Sequence, residues 1–245
     1  MSNRILQKID KCRIVFLDLE FYVPQGSRGQ SGLCYNPWDE SCKLIGGAFL
    51  VVNPAKDLDM KNGEVSAKIQ TLMLWDFKDE KELITNIYNL LNRALSLVHD
   101  AHNKRISPLL CGIGITSSDI PILIELFKRY ELLSYSQAFK FQSDFRIIDL
   151  SQLGIACFNN SNGYLYPKVK SSLLKKYIPS KKFDTGKSVW NLYESNDRSA
   201  IISRVCEEIE VTYTIYRSII SDYQKFKYLE KKEKREAWLG SQLSN

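Results

Sequence analysis

The apolar positions of this chain fall into five short runs and a set of longer, spaced stripes. Cys12 to Tyr22 (CRIVFLDLEFY) is rich in Ile, Val and Phe and apolar on both faces apart from Asp18 and Glu20, the pattern of a central strand covered on both sides. Leu44 to Asn53 (LIGGAFLVVN) predicts a second strand, stopped by Pro54, and Lys68 to Trp75 a third. Pro108 to Ile115 (PLLCGIGI) predicts a fourth, and Phe145 to Leu150 (FRIIDL) a fifth or its edge. Between them, Leu83, Ile87, Leu90, Leu91, Ala94, Leu95 and Val98 recur on one face of a helix over Glu80 to His102. Thr116 to Asp119 offers hydroxyls suited to capping a helix that runs to about Leu133. Ser171 to Tyr177 and Asp197 to about Glu236 also read as helices. Strands come first and then alternate with helices, which predicts an α/β fold with a mixed central sheet flanked by helices.

Two segments break the pattern. Val23 to Lys43 holds three Gly, two Pro and many polar residues, and reads as a long loop, a length often functional in compact domains. It follows the first strand directly and is expected to overhang whatever lies at that strand's end. Asn159 to Gly163 reads as a polar linker. Residues 1–223 form the expected domain, with 23–43 as an insertion, and 224–245 a basic helical tail.

Composition narrows the class. Of 245 residues, 44% are apolar and 25% charged, an ordinary folded composition. No run of 18 apolar residues spans a membrane, and the N-terminus lacks the basic-then-apolar pattern of a secretory leader, so a cytoplasmic location is the default expectation. Six cysteines show no Cys-x-x-Cys pair, which argues against structural zinc. Cys111, Cys157 and Cys206 read as small core residues, while Cys34 and Cys42 share one loop and are close enough in sequence to pair. The net charge of +6 suits a polyanionic partner.

Chemistry is concentrated in four acids. Asp18 and Glu20, two apart on a strand, point to one face, where side-by-side carboxylates are costly to bury unless a cation lies between them. The alternative is a strand end surfacing into solvent. Asp119 follows a strand and begins a helix, either as a capping residue or as a further ligand approaching that pair. In the late helix, Ile201, Val205, Ile209, Thr212 and Tyr216 form the inward stripe, and Glu208 lies about 60° from its centre, whereas Glu207 and Glu210 lie roughly opposite. The alternative for Glu208 is a salt bridge with Arg204, one turn earlier. Four hard oxygen donors suit Mg²⁺ or Mn²⁺, and two such ions about 4 Å apart would serve phosphodiester hydrolysis.

These segments resemble the DEDD family of 3′–5′ exonucleases, whose fold is RNase H-like. IVFLDLEFY resembles its first motif, CGIGITSSDIPIL its second, and GKSVWNLYESNDRSAIISRVCEEIEVTYTIY the third-motif region of members carrying Tyr-x-x-x-Asp. FRIIDL, with Asp149, matches an apolar-Asp-Leu element between the second and third. The resemblance implies metal ligation by Asp18, Glu20, Asp119 and Glu208, two Mg²⁺ or Mn²⁺ ions, and a single-stranded DNA or RNA 3′ end as substrate.

Two positions depart from the family. Glu208 stands where it has Asp, and Arg204 where it has the general base, Tyr or His. A guanidinium cannot act as a base, since its pKa stays above about 12, but it can neutralise a phosphate. His99 and His102 read as surface residues. The alternative is therefore a fold that has lost its chemistry and binds nucleic acid or protein. Tyr22, Tyr35, Trp38 and Arg28 are candidates to stack bases or meet phosphates, or to pack on the domain. Lys168, Lys170, Lys175, Lys176, Lys181, Lys182 and Lys187 form a stretch consistent with backbone contacts or with solvated surface. Phe226, Leu229 and Trp238 make the tail a candidate anchor for a protein partner.

Overall fold

The computed structural model describes residues 9–29, 34–60, 62–102, 106–158, 165–183 and 186–243. The polar linker at 159–163 lies outside them, as do the side chains of His102 and Trp238. All five expected strands form: β1 (Ile14–Tyr22), β2 (Lys43–Val52), β3 (Gln70–Met73), β4 (Leu109–Gly112) and β5 (Arg146–Asp149). They make one mixed sheet in the order β3-β2-β1-β4-β5. β2 runs antiparallel to both β1 and β3, whereas β4 lies parallel to β1 and to β5.

β1 is the central strand, and its two faces belong to two cores. Val15, Leu17 and Leu19 point to the side of α1 (Glu80–His102) and α2 (Asp119–Arg129), where Ile84, Ile87, Leu123 and Phe127 meet them. Ile14 and Phe16 point to the other side, against Ile201, Val205 and Ile209 of the long final helix. The period of two along a strand therefore puts Asp18 and Glu20 on this second face, at the end nearest the first crossover.

The remaining helices are α3 (Tyr135–Asp144), α4 (Leu150–Leu153), α5 (Lys170–Tyr177), α6 (Ser188–Glu194) and α7 (Arg198–Leu243). α2 stops at Arg129 rather than near Leu133, because Glu131 takes φ 60 and the N–H groups of Leu132 and Leu133 fold back to the Phe127 carbonyl. α3 then starts on a reciprocal cap: Ser134 Oγ accepts from Gln137 N, and Gln137 Oε1 accepts from Ser134 N. The boundary between domain and tail at residue 223 falls inside α7, which runs unbroken to Leu243. From Tyr223 to Glu236 its surface is exposed, including Tyr223, Phe226, Tyr228 and Leu229.

α7 runs against the direction of β1, and the register of the two is readable from contacts. Arg204 meets Glu20, while Tyr213 and Tyr216 meet Phe16 edge-on, with ring centroids 5.4 and 5.3 Å away. Four steps along the strand at roughly 3.4 Å, and nine along the helix at roughly 1.5 Å, both span about 13.5 Å. The side chains of one element thus stay opposite those of the other.

β2 carries the adjacent glycines that let this end of the sheet close. Gly46 pairs with Glu20 and Gly47 with Leu19, and the register shifts by one residue just after Glu20. Gly46 has φ 142, and a Cβ there would lie 2.3 Å from the Leu72 carbonyl oxygen, whereas one on Gly47 would lie 2.5 Å from that of Asp18. Gly46→Ala is expected to destabilise the fold by about 2 kcal/mol or more, since it adds both backbone strain and a main-chain clash, and urea unfolding by circular dichroism measures it.

Candidate metal centre

Three carboxylates meet where β1 passes under α7. A ligand oxygen from each of Asp18, Glu20 and Glu208 lies within 4.8 Å of the others. Glu208 is only 2% exposed, so the helical geometry that set it near the inward stripe holds in three dimensions. Glu207 and Glu210 instead face outward, to Lys181 and to the Ser66 hydroxyl. Among the described residues no hydrogen bond or ion pair reaches the Asp18 carboxylate.

Asp119 lies at the same place but is tied differently. Its Oδ1 accepts from Leu19 N at 3.0 Å and its Oδ2 from Ser118 Oγ at 2.5 Å. It thus links the first turn of α2 to β1 beside the three acids, with an oxygen outside their tight group. The hydroxyls expected to cap α2 do not do so. Ser117 and Ser118 bond to the Gly114 carbonyl, and Thr116 Oγ1 donates to Asp149. They fold the β4–α2 loop onto itself because Gly114, at φ 76, turns the chain sharply.

Two cations face the acids. Arg204 Nε donates to Glu20 Oε1 at 2.9 Å, and its Nη2 lies 2.8 Å from Glu208 Oε1. That second contact is a charge contact without an N–H aimed along it, and Glu208 Oε1 is left buried with no aligned donor. Lys170, the first residue of α5, places Nζ in direct contact with Glu208 Oε2. The expected Arg204–Glu208 ion pair therefore forms, and it forms within the acid cluster rather than away from it.

The electrostatics follow from burial. Desolvation pushes Asp18 well above the usual carboxylate range, and Glu208 adds repulsion that Lys170 only partly offsets. Burial and then Glu208 raise Glu20 to about 7, against the pull of Arg204. Burial also raises Asp119, despite its hydrogen bonds from Ser118 and Leu19. Burial opposes the charge on Lys170 and Arg204, but the surrounding carboxylates outweigh it and raise both. Four acids here face two cations, and oxygens of Asp18, Glu20 and Glu208 lie within 4.8 Å of one another. That donor set fits a hard divalent cation.

The acids form part of the lining of a cavity of about 730 Å³. Trp190, Phe183, Tyr35 and Lys187 contribute to its walls. Trp190 is held in place from behind, its Nε1 donating to the Phe21 carbonyl at 3.0 Å while the Arg28 guanidinium lies 4.9 Å from its ring centre. Of the four loop residues considered for substrate contact, only Tyr35 lines the cavity. Arg28 pairs with Glu194 at 2.5 Å, and Tyr22 donates to the same carboxylate at 3.1 Å. Trp38, 51% exposed, donates to Glu125 at 3.2 Å on the side of α2. Arg28 and Trp38 thus fasten the 23–43 loop to α6 and α2, and Tyr22, at the end of β1, bonds to α6. The cysteines of that loop do not pair: all six in the chain are free thiols, and Cys206 is half-buried rather than core. His99 is half-buried on α1, across the sheet from the acids.

Lys170, Trp190 and Phe183 are the site residues that sequence reasoning missed. Lys170 was visible only as one lysine in a basic stretch, and no spacing rule connects it to Glu208. Asp149, which the sequence marks within FRIIDL but gives no role, supports the site from below. It accepts from Gly114 N (2.8 Å), Thr116 N (3.1 Å), Thr116 Oγ1 (2.6 Å), Ser151 N (3.0 Å) and Ser151 Oγ (2.7 Å). It fixes the loop that delivers Asp119.

Burial alone would raise the pKa of Asp149, but the bonds from Thr116, Ser151 and Gly114 outweigh it and hold the carboxyl below its usual value. Its contribution to stability is therefore present above the unfolded-state value of about 3.9 and is lost as pH falls through the lower folded value. Asp149→Ala is expected to lower stability at pH 7 by about 2–4 kcal/mol, with the deficit shrinking in unfolding curves taken below about pH 4. No family model matches this chain, and no curated protein matches it.

Proposed function

We propose that the chain is a metal-dependent 3′–5′ exonuclease of RNase H-like fold that hydrolyses single-stranded nucleic acid. The observation that carries the reading is the convergence of Asp18, Glu20 and Glu208 within 4.8 Å in a cavity that also has cationic and aromatic walls. The strand order, with β2 alone reversed at the heart of the sheet, supports the RNase H-like assignment. The polarity and the single-stranded substrate rest on the resemblance of the three motifs.

Mg²⁺ or Mn²⁺, held by Asp18, Glu20 and Glu208 with Asp119 alongside, would lower the pKa of water and offset charge on the phosphodiester. In the overall reaction water adds its oxygen to phosphorus and the bond to the 3′ oxygen breaks. That oxygen leaves with a proton, giving a nucleoside 5′-monophosphate and a strand shorter by one. Arg204 remains cationic throughout and is no proton acceptor. It braces Glu20 and Glu208 in place from the helix side. Trp190 and Phe183 offer flat apolar walls suited to a base, and Lys187, 5.8 Å from the Trp190 ring centre, offers charge to the backbone. DNA and RNA are both admissible substrates.

One observation favours a second reading. Lys170 and Arg204 already engage two of the acids, as expected of a groove that binds nucleic acid without cutting it. Incubation of 5′-labelled single strands of DNA and RNA with Mg²⁺ or Mn²⁺ separates the two. The nuclease reading expects a ladder of shortening products, reduced at least roughly a thousandfold in Asp18→Ala with the fold intact. Salt-dependent binding with no shortening by either protein would overturn it in favour of the binding module.

A further inference from the structure

We propose that Lys170 stands in the place of a second metal ion, so that the carboxylate centre takes up one divalent cation per chain. The inference rests on the metal-site reading above and revises the expectation of two ions. It begins from charge. Four ionised carboxylates, Asp18, Glu20, Asp119 and Glu208, would be brought to neutrality by two divalent ions alone. Here the chain itself supplies two positive charges, from Lys170 and Arg204, which equal one divalent ion. A single ion then completes the same balance.

Geometry points the same way. Lys170 Nζ contacts Glu208 Oε2, and Lys170 lines the same cavity as Asp18, Glu20 and Asp119. Asp119 has each carboxylate oxygen bound to a local donor, Leu19 N or Ser118 Oγ. Asp18, Glu20 and Glu208 bring oxygens within 4.8 Å of one another, one tight group and enough for one centre. Lys170 is the first residue of α5, and its side chain is 30% exposed along a cavity wall. An ammonium fixed there does the electrostatic work of an ion without needing ligands of its own, since it brings its charge on a tether.

The proposal is tested by counting ions on the purified full-length chain, through Mn²⁺ titration followed by electron paramagnetic resonance of the free ion and by calorimetry. The wild type is expected to saturate at one Mn²⁺ per chain. Lys170→Gln removes the charge while keeping an N–H donor for Glu208. It is expected to bind its first Mn²⁺ on the order of tenfold more tightly and to accept a second. Lys170→Arg, which keeps the charge, is expected to stay at one. Circular dichroism establishes that each variant is folded, and the arginine variant carries the comparison if the glutamine variant is not: two ions in Lys170→Arg would count against the proposal. Two Mn²⁺ per wild-type chain would overturn it and leave the nuclease reading standing. So would a folded Lys170→Gln protein that still binds one ion with unchanged affinity. No Mn²⁺ bound by the wild type would overturn both readings together.

Discussion

Like charges in a dry place dominate this molecule. Asp18, Glu20, Asp119 and Glu208 converge where the central strand passes under the final helix, and three of them are buried. Each would lose several kcal/mol on leaving water unless cations answer it. The chain answers in part, with a guanidinium on α7 and an ammonium on α5, both of which contact Glu208. A protein seeking stability alone would replace such a group with apolar residues of similar size, often at no loss. Retaining four acids with only two cations is reasonable if a further cation belongs there.

The rest of the fold serves that convergence. Gly46 permits close approach of β3 to β2 and Gly47 of β1 to β2 at the point where the acids lie, and the register shifts just after Glu20. Asp149, at the end of β5, gathers the N–H groups of the β4–α2 loop, and that loop in turn presents Asp119 to Leu19. Glu80 acts similarly across the sheet, where it accepts from Leu44 N and the Tyr130 hydroxyl, both at 2.6 Å. These are local satisfactions of buried polar groups, and each sets a backbone segment whose next side chain matters.

What could be read from the sequence was whatever a short-range period encodes. β1 and α1 were legible because burial on both faces, or on one stripe, writes itself into successive residues. Asp18 and Glu20 were legible because they interrupt an otherwise apolar run, and Glu208 because a helix fixes angles. α3 escaped because its signal is a cap, Ser134 with Gln137, and not a strong apolar stripe. Tyr22, Arg28 and Trp38 were chosen as exposed loop residues near the strand end, and sequence could not show that Glu194 and Glu125 would claim them. Lys170 was illegible for the same reason: its partner is on another helix, and chain distance says nothing of that.

The separation of charge within the cavity bears on how a polyanion could enter it. A phosphate approaching four carboxylates directly would be repelled. Yet Lys170 Nζ lies 5.1 Å from the centre of the Phe183 ring and Lys187 Nζ 5.8 Å from that of Trp190, so positive charge and flat rings share the cavity with the acids. The overall charge of +6 adds a weaker, longer-ranged attraction that salt screens within about 10 Å at 0.1 M. Binding and chemistry then depend on different residues. Loss of the Lys187 charge should weaken capture, most at low salt, without altering the ion count, whereas loss of the Lys170 charge should alter the ion count itself.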